Sequence, residues 1–365
     1  MDFERNDNDT QSSPGPYPYE QGNPGQPPQE PVPGVPAYAP PPPRVKRFSI
    51  WRIFWGVLFG LSLLANIGLF LMLVGMVAVL ATGHARLYEE AIVREGPRDN
   101  KIVMVNITGM IHTEQAENVY RQLKTAREDR SVKGIIVRVN SPGGTVSGSD
   151  RIYMEIQRYR REVGKPVVAF MQGVAASGGY YASVACQQIV AEPTTITGSI
   201  GVIMSHFVFE DLLENKLGIK PVFLTAGDKK DWPSSFRAPE QEELDYIRER
   251  LLTPAYSRFV DVVKEGRKDT LSSAEVDALA DGSIFAAPKA LEEKLIDKIG
   301  YLDDAIAAVA SLAGIDKAHV VEYRRPFSWM SFLGARSANV FKIDRMKLYE
   351  LATPEILYLW NAGVH

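Results

Sequence analysis

Residues 134–171 have the sequence GIIVRVNSPGGTVSGSDRIYMEIQRYRREVGKPVVAFM, and this stretch decides the fold. Its first seven residues are an apolar, β-branched run that predicts a strand, and a Ser-Pro-Gly-Gly turn follows. A helical pattern then extends from about Val146 to Val163, and a second apolar run at 166–171 predicts another strand. Two apolar strands joined through a helix indicate neighbouring parallel strands in a sheet that is buried on both faces.

The same alternation continues on both sides of this stretch. Upstream, residues 101–109 (KIVMVNITG) predict a strand, and a helical pattern extends from Glu114 to Glu128. The downstream predictions are the strands QIVAEP, GVIMSH and KPVFLTA (220–226), a helix near 209–217, a long amphipathic helix from 239 to about 266, and further helices within 272–313. The sequence therefore predicts an α/β fold with a largely parallel sheet. The residues after 324 show no firm period and receive no assignment.

Composition restricts the function classes that the chain can belong to. The 365 residues contain 41 Lys and Arg against 44 Asp and Glu, a net charge of -3. Because no basic excess is available to neutralise a phosphate backbone, the composition argues against nucleic acid as a partner. Cys186 is the single cysteine, which excludes an intrachain disulfide framework and any metal site built from several cysteines.

The N-terminal segment has the composition of a disordered tail. The first 43 residues contain 13 of the 24 prolines, six acidic residues and one basic residue, Arg5. Such a segment lacks the apolar residues that would offset the entropy of ordering, so we predict a disordered tail over residues 1–47. A polyproline II ligand for a partner domain is the alternative interpretation.

A membrane-spanning helix is predicted within residues 48–83. The run from Ile53 to Thr82 contains no Asp, Glu, Lys or Arg, and it exceeds the roughly 20 residues that a helix needs to cross a bilayer. A secretory signal peptide has a shorter apolar core that starts closer to the N-terminus. A buried helix of a soluble protein is the other alternative at this position.

Charge on the two sides of this run predicts its orientation. Four basic residues precede or begin it: Arg44, Lys46, Arg47 and Arg52. The acidic pair Glu89 and Glu90 follows it, and Trp51 and Trp55 suit the cytoplasmic interface. We therefore expect a single-pass protein of the cytoplasmic (inner) membrane with a cytoplasmic N-terminus, an extracytoplasmic catalytic domain over 99–323, and a C-terminal tail over 324–365.

The sequence contains no familiar histidine-based catalytic motif. The sequence has five histidines but contains neither a G-x-S-x-G nor an H-E-x-x-H motif. The segment AASGGYYA instead places Ser177 after a predicted strand and directly before a predicted helix. The N–H groups and partial positive charge of a helix N-terminus suit a nucleophile whose product is an oxyanion. A simple helix cap is the alternative role for this serine.

A serine without a histidine needs another base to remove its proton, and an uncharged lysine is the plausible one. The ordinary lysine pKa of about 10.4 has to fall for this role, which burial can achieve. Lys229 and Lys230, in the segment AGDKKDWPSS, are both candidates. A solvated pair in a surface loop is the alternative interpretation.

Five motifs occur in a fixed order: NSPGG (140–144), AASGGYY (175–181), TGSIGVI (197–203), GDKKD (227–231) and ADGSIFAAPKALEEKLIDKIGYLDDAI (280–306). In this order they resemble the bacterial signal peptide peptidase A family, membrane-bound serine proteases with a Ser/Lys dyad. The resemblance spans about residues 101–313. It implies the fold that the Clp protease subunit and crotonase share, in agreement with the strand and helix alternation.

The resemblance also implies a role for each site residue. Ser177 corresponds to the nucleophile, Lys230 to the general base and Ser199 to the serine that orients the lysine amine. Gly144 and Gly178 correspond to the main-chain N–H donors of the oxyanion hole. Donors that face developing charge are worth about 3–4 kcal/mol each in acyl transfer.

The lysine assignment follows from spacing within the family pattern. The family lysine lies three residues after a glycine, which matches Gly227 and Lys230. A proline usually follows that lysine by five residues, whereas Pro233 follows Lys230 by three. The loop is therefore shortened relative to the pattern, and the alternative assignment is Lys229.

The predicted function is that of a membrane-anchored serine endopeptidase acting on peptides in or near the membrane, such as cleaved signal peptides. Each motif occurs once, and the family pairs serine and lysine from different copies, so a homo-oligomeric ring is expected. No metal or cofactor is implied; membrane lipid and peptide substrates are the expected partners. Two alternatives are a crotonase-type enzyme acting on acyl thioesters and an inactive membrane scaffold of the same fold.

Overall fold

The computed structural model describes residues 50–81, 88–324 and 356–360. Its strands are β1 (Glu89–Arg94), β2 (Lys101–Thr108), β3 (Val132–Ser141), β4 (Gly143–Thr145), β5 (Val167–Ala176), β6 (Gln188–Ala191), β7 (Ile196–Gly198), β8 (Ile203–Met204), β9 (Ile284–Ala286), β10 (Lys298–Ile299), β11 (His319–Arg324) and β12 (Ile356–Leu359). Its helices are α1 (Ile50–Ala81), α2 (Thr113–Glu128), α3 (Val146–Val163), α4 (Gly178–Ser183), α5 (Gln241–Ile247), α6 (Thr253–Gly266), α7 (Ser273–Leu279), α8 (Ala287–Glu292) and α9 (Leu302–Ala313), with π-helical turns at Leu212–Lys216 and Arg248–Leu252.

Residues 50–76 of helix α1 belong to a separate unit from the α/β body. The helix segment Ile50–Val77 has a mean hydropathy of 2.4 and is not buried inside the protein. This length and composition are sufficient to cross a bilayer, and the predicted apolar helix is confirmed. The predicted disordered tail, residues 1–47, lies outside the described residues.

The body is built on one large, mainly parallel sheet. Its strand order is β1-β11-β2-β3-β5-β6-β10, and β1 alone runs antiparallel to its neighbour in this series. Strand β7 pairs in parallel with the carboxyl end of β5 and antiparallel with β9. Strand β1 precedes residue 99, the predicted start of the domain. It pairs with β11, which lies near the C-terminal end of that domain.

Helices cover both faces of the sheet. Because successive strand residues point to opposite faces, one strand contributes to a buried cluster on each side. In β3, Ile135 and Val137 pack in a buried cluster with Tyr159 of α3. Ile136 points the other way and packs in a second buried cluster with Val309 of α9. Each of these side chains contributes about 1.5–3 kcal/mol by leaving water. The predicted α/β class is therefore confirmed.

Two segments differ from the predictions made for them. The run 220–226 was predicted as a strand, but it does not form one, and Val222 and Leu224 are 79% and 97% exposed. Its β-branched and aromatic residues favour an extended chain, but a strand also needs a neighbour for its backbone groups, and no described strand lies beside it. The tail after 324 contains β12, which forms a small antiparallel sheet between β4 and β8.

Candidate active site

Ser177 lies at the turn between β5 and α4, at the carboxyl edge of the parallel sheet. Its φ of 53° is a left-handed value that is strained for a residue with a side chain. The Ser177 N–H donates to the carbonyl of Gly198 at 2.8 Å, which fixes the turn against β7. The side chain is 1% exposed, and its Oγ has no hydrogen-bond partner among the described residues. A buried hydroxyl without a hydrogen-bond partner lowers the stability of the folded state. This position is therefore suited to a reacting group.

Glycines 143, 144 and 178 bring two backbone segments together beside Ser177. A Cβ added to Gly178 would lie 2.4 Å from Ser149 Oγ and 3.2 Å from the Gly144 nitrogen. A Cβ on Gly143, whose φ is +108°, would lie 2.8 Å from the Gly178 nitrogen. Only glycine permits this approach. The two predicted oxyanion-hole residues, Gly144 and Gly178, are therefore neighbours at the start of α4.

Ser199 lies at the end of β7 in the same left-handed conformation, with a φ of 50°. Because β5 and β7 are parallel and Ala176 pairs with Gly198, the residues that follow these two are adjacent. The Ser199 N–H donates to the Ser283 carbonyl at 2.7 Å. The fold thus brings Ser177 and Ser199 side by side.

The two candidate lysines lie in an exposed turn, where they have different surroundings. Lys229 Nζ is 3.7 Å from the ring centroid of Trp232, 4.9 Å from that of Tyr246 and 3.1 Å from Glu242 Oε1. For the Lys230 side chain, no ion pair, ring contact or hydrogen bond occurs within the described residues 88–324. Lys229 is therefore held by its neighbours, whereas the Lys230 amine has no partner among the described residues.

Within one protomer, neither lysine reaches the serine, since Ser177 Oγ has no partner among the described residues. The loop that carries the lysines is instead fixed to helix α5. Arg237 pairs with Glu243, which is buried, and also lies 3.4 Å from Asp231. Arg237 and Lys229 thus hold the loop while leaving Lys230 exposed.

Large apolar side chains are exposed along the chain that leads to this loop. They are Phe207, Val208, Phe209, Leu212, Leu217, Ile219, Val222, Phe223, Leu224 and Phe236, and we call them the apolar loop surface. Within this set Phe207 stacks on Phe209 and Phe223 contacts Phe236, and exposed apolar patches mark sites of interaction with other molecules.

Strand β12, which the sequence analysis did not find, runs along the glycine-rich edge of the site. Tyr358 pairs with Gly144 in the β4 and β12 ladder. A Cβ on Gly143 would lie 1.9 Å from the Tyr358 carbonyl oxygen, so that oxygen lies against the same glycine that approaches Gly178. The sequence signal was weak, because β12 has only four residues, ILYL, in a segment without a clear period.

The described residues also contain no cluster of three or more His, Cys, Asp or Glu side chains that could hold a metal ion. The one hydrogen bond of His206 in this part of the chain is a 3.0 Å contact between its Nε2 and the Ser234 carbonyl.

A buried serine at a strand-to-helix turn, glycine amides beside it and a mainly parallel sheet define a serine peptidase of the Clp protease fold. The family model of the Clp protease matches residues 98–195, which covers β2 to β6 and the Ser177 turn. The model of peptidase family S49 matches residues 159–316.

Relatives extend this similarity over most of the body. A protein of Enterococcus faecium, named as a signal peptide peptidase SppA, is 36% identical over 70% of this chain and 77% of its own length. A protein of Synechocystis, named as a protease, is 38% identical over 59% of this chain and 76% of its own length. Protease 4 of Haemophilus influenzae is 34% identical over 57% of this chain and 34% of its own length. The chain belongs to the signal peptide peptidase A family of serine-type peptidases.

Proposed function

We propose that this chain is a membrane-anchored endopeptidase that uses Ser177 and Lys230 to cleave peptides in or near the membrane, cleaved signal peptides among them. The observation that carries the proposal is the Ser177 hydroxyl, which is buried, unpartnered among the described residues, and adjacent to the backbone of Gly144 and Gly178. The name of the Enterococcus relative supports the substrate class.

The chemistry is acyl transfer in two steps. Ser177 Oγ forms a bond with the carbonyl carbon of the substrate, and its proton passes to the neutral amine of Lys230. The N–H groups of Gly144 and Gly178 stabilise the oxyanion, at about 3–4 kcal/mol for each donor. The lysine then donates the proton to the departing amine as the C–N bond breaks. Water, activated by the same lysine, hydrolyses the acyl-enzyme and regenerates the serine.

Ser199 acts on the lysine rather than on the substrate. Its position beside Ser177, at the end of the neighbouring strand, would let its hydroxyl orient the incoming amine. The left-handed conformation of both serines supports this role, since strain of this kind concentrates at functional sites.

The lysine that completes the dyad comes from a neighbouring subunit. Three observations support this arrangement: Ser177 Oγ is unpartnered among the described residues, Lys230 is exposed, and the apolar loop surface lies on both sides of Lys230 in the chain. Burying that surface against a second copy would remove apolar area from water and carry Lys230 into an adjacent site. A head-to-tail contact repeated by rotation closes into a ring.

Helix α1 anchors the peptidase in the cytoplasmic membrane with its body outside the cytoplasm. Its apolar segment is long enough to span, and the basic residues before it favour retention on the cytoplasmic side. Protease added to cells with a permeable outer layer should digest the body. Removal of the proline-rich tail alone would show the reverse orientation.

The decisive experiment compares two serine variants on the full chain in detergent micelles, with an apolar peptide as substrate. Ser177→Ala should lower kcat/KM by at least about a thousandfold, because the acyl acceptor is lost. The matched control is Ser183→Ala in the same helix, whose hydroxyl donates to the Gly179 carbonyl at 2.8 Å. It should retain activity near that of the wild type. Equal cleavage by the wild type and Ser177→Ala would remove the nucleophile assignment.

A further inference from the structure

A short turn, residues 281–283, packs against the backbone on both sides of Ser199. The Ser199 N–H donates to the Ser283 carbonyl at 2.7 Å, and strand β9 then pairs antiparallel with β7. A Cβ added to Gly198 would lie 2.9 Å from the Ser283 carbonyl oxygen, and one added to Gly201 would lie 3.4 Å from the Cα of Gly282. The turn therefore constrains the chain immediately before and after Ser199.

Ser199 needs this constraint because its backbone is strained. Its φ of 50° is disfavoured for a residue with a side chain, and such a conformation persists only where the surrounding structure holds it. The Ser177 N–H donates to the Gly198 carbonyl at 2.8 Å, so the strand that ends at Ser199 also holds the candidate nucleophile. The direction of the Ser199 hydroxyl thus depends on the hydrogen bond to Ser283.

The Asp281 carboxylate sets the conformation of this turn. Its Oδ1 accepts the Ser283 N–H at 2.9 Å, which is the hydrogen bond of an Asx turn. Gly282, between them, has a φ of +88°. The hydroxyl and the N–H of Ser283 lower the pKa of the Asp281 carboxyl below its usual value, so it is charged at neutral pH. The carboxylate makes no ion pair among the described residues, so the turn itself is its structural role there.

We propose that Asp281 is a positioning residue for catalysis: by holding the 281–283 turn, it orients Ser199 toward the amine of the general base. The inference rests on the proposed Ser/Lys function and deepens it, because it adds a residue that touches neither the substrate nor the reacting atoms. A hydroxyl that donates to the neutral amine of Lys230 favours the neutral form and lowers the pKa of that lysine. Asp281 therefore acts on the base through two hydrogen bonds and Ser199.

The direction of a pH shift separates this role from a direct effect of charge. The midpoint of the rise of kcat/KM with pH reports the pKa of the base in the free enzyme. If the Asp281 charge acted on Lys230 through space, its removal would destabilise the protonated amine and move that midpoint to lower pH. If Asp281 acts through Ser199, its removal weakens a contact with the neutral amine and moves the midpoint to higher pH.

Three variants of the turn test the proposal. Asp281→Ala should lower kcat about tenfold, leave KM within about twofold, and raise the midpoint by at least about half a pH unit. Asp281→Asn keeps an acceptor oxygen without the charge, so both kcat and the midpoint should return close to the wild-type values. Gly282→Ala should act in the same direction as Asp281→Ala, because its Cβ would meet no atom within 4 Å and only the left-handed turn is strained.

A double-mutant cycle tests whether the effect passes through Ser199. In the Ser199→Ala background the hydroxyl is already absent, so adding Asp281→Ala should change kcat by less than about twofold. A further tenfold loss in that background would show that Asp281 acts by another route and would overturn the inference.

Glu275→Ala is the matched control for loss of a carboxylate–serine contact. Glu275 Oε2 accepts the Ser272 N–H and the Ser272 hydroxyl, both at 2.8 Å, at the start of helix α7. Like Asp281, Glu275 is exposed and its pKa is lowered by the hydrogen bonds of a serine. Both alanine variants should lower Tm by a similar small amount, but Glu275→Ala should leave kcat and the midpoint unchanged.

The assay measures kcat and KM from about pH 6 to about pH 10 on the full chain in detergent micelles, with one apolar peptide as substrate. The charged groups on the lysine loop and against it are the same in every variant: Asp228, Lys229, Asp231, Arg237 and Glu242. An unchanged or lower midpoint in Asp281→Ala, or an Asp281→Asn variant that behaves like it, would refute the positioning role. If Asp281→Ala does not fold, Gly282→Ala decides, and an unchanged midpoint there refutes the role equally.

Failure of this inference and failure of the proposed function give different results. Refutation by any of these midpoints leaves a wild-type activity that requires Ser177, and the Ser/Lys proposal stands. Cleavage that persists in Ser177→Ala, or a wild type that cleaves no apolar peptide, would refute the proposed function and this inference with it.

Discussion

Replacing each of two adjacent lysines in turn separates the general base from the residue that holds its loop. We expect Lys230→Ala to lower kcat/KM by about 10²–10⁴, the range for losing a positioned general base. Lys229→Ala should have a much smaller effect. Its amine contacts the rings of Trp232 and Tyr246 and pairs with Glu242, all at a partly exposed position.

The size of the Lys229 effect follows from those contacts. An exposed cation–π contact is worth about 0.5–1 kcal/mol, and an exposed ion pair about 0–1 kcal/mol. If about 1 kcal/mol of loop anchoring is lost, the active geometry becomes roughly fivefold less populated. Lys229→Arg keeps both kinds of contact and should act as the matched control, with activity near that of the wild type.

The assay is hydrolysis of one apolar peptide by all four proteins in detergent micelles, with size-exclusion chromatography to confirm an unchanged assembly. An equal loss in the two alanine variants would show that the loop acts as a unit and that neither lysine is singled out. A larger loss in Lys229→Ala would refute the assignment. It would show that the early proline, Pro233, shifts the register of the loop.

Three further predictions concern assembly, pH and stability. Ser177→Ala and Lys230→Ala proteins should each be inactive, but mixtures that exchange subunits should regain part of the activity; exchange shown by sizing without regained activity would contradict a shared site. Activity should rise with pH, because the base has to be neutral, and a maximum near pH 5 would exclude an amine base. Lys101→Met should lower Tm at neutral pH by about 4–8 °C, since Lys101 lies 2.8 Å from both Glu90 and Asp129, and losing this partly exposed contact costs about 2 kcal/mol. Burial opposes the charged form of both Lys101 and Asp129, yet their hydrogen bonds outweigh it, so the pKa of Lys101 is raised and that of Asp129 is lowered. The stabilisation is therefore complete between the ordinary values of 3.8 and 10.5 and is lost below and above them, and a Tm difference that persists at pH 2 would contradict this origin.

Local pattern was enough to predict the central strands β2, β3, β5 and β6 and the helices α2 and α3. Strand β3 is apolar at successive positions because both of its faces are buried, so its composition directly records its environment. Composition also predicted helix α1, in which residues 53–81 contain no Asp, Glu, Lys or Arg and are long enough to cross a bilayer. Motif order then predicted Ser177, Gly144, Gly178 and Ser199 as site residues, and the fold brings these four to one edge of the sheet.

Tertiary structure decided what depends on partners distant in the chain. The run 220–226 has strand composition but no described neighbour to pair with, so its side chains are exposed. Strand β12 has only four residues, yet it pairs with β4 and β8 more than 140 residues away and buries Tyr358 against residues of α4 and α6. Lys229 contacts Trp232 and Tyr246, whereas the adjacent Lys230 side chain has no partner among the described residues. The composition of a strand shows whether its own residues are buried. Strand pairing and pocket shape depend instead on which distant segments come together. Local sequence does not encode those long-range contacts.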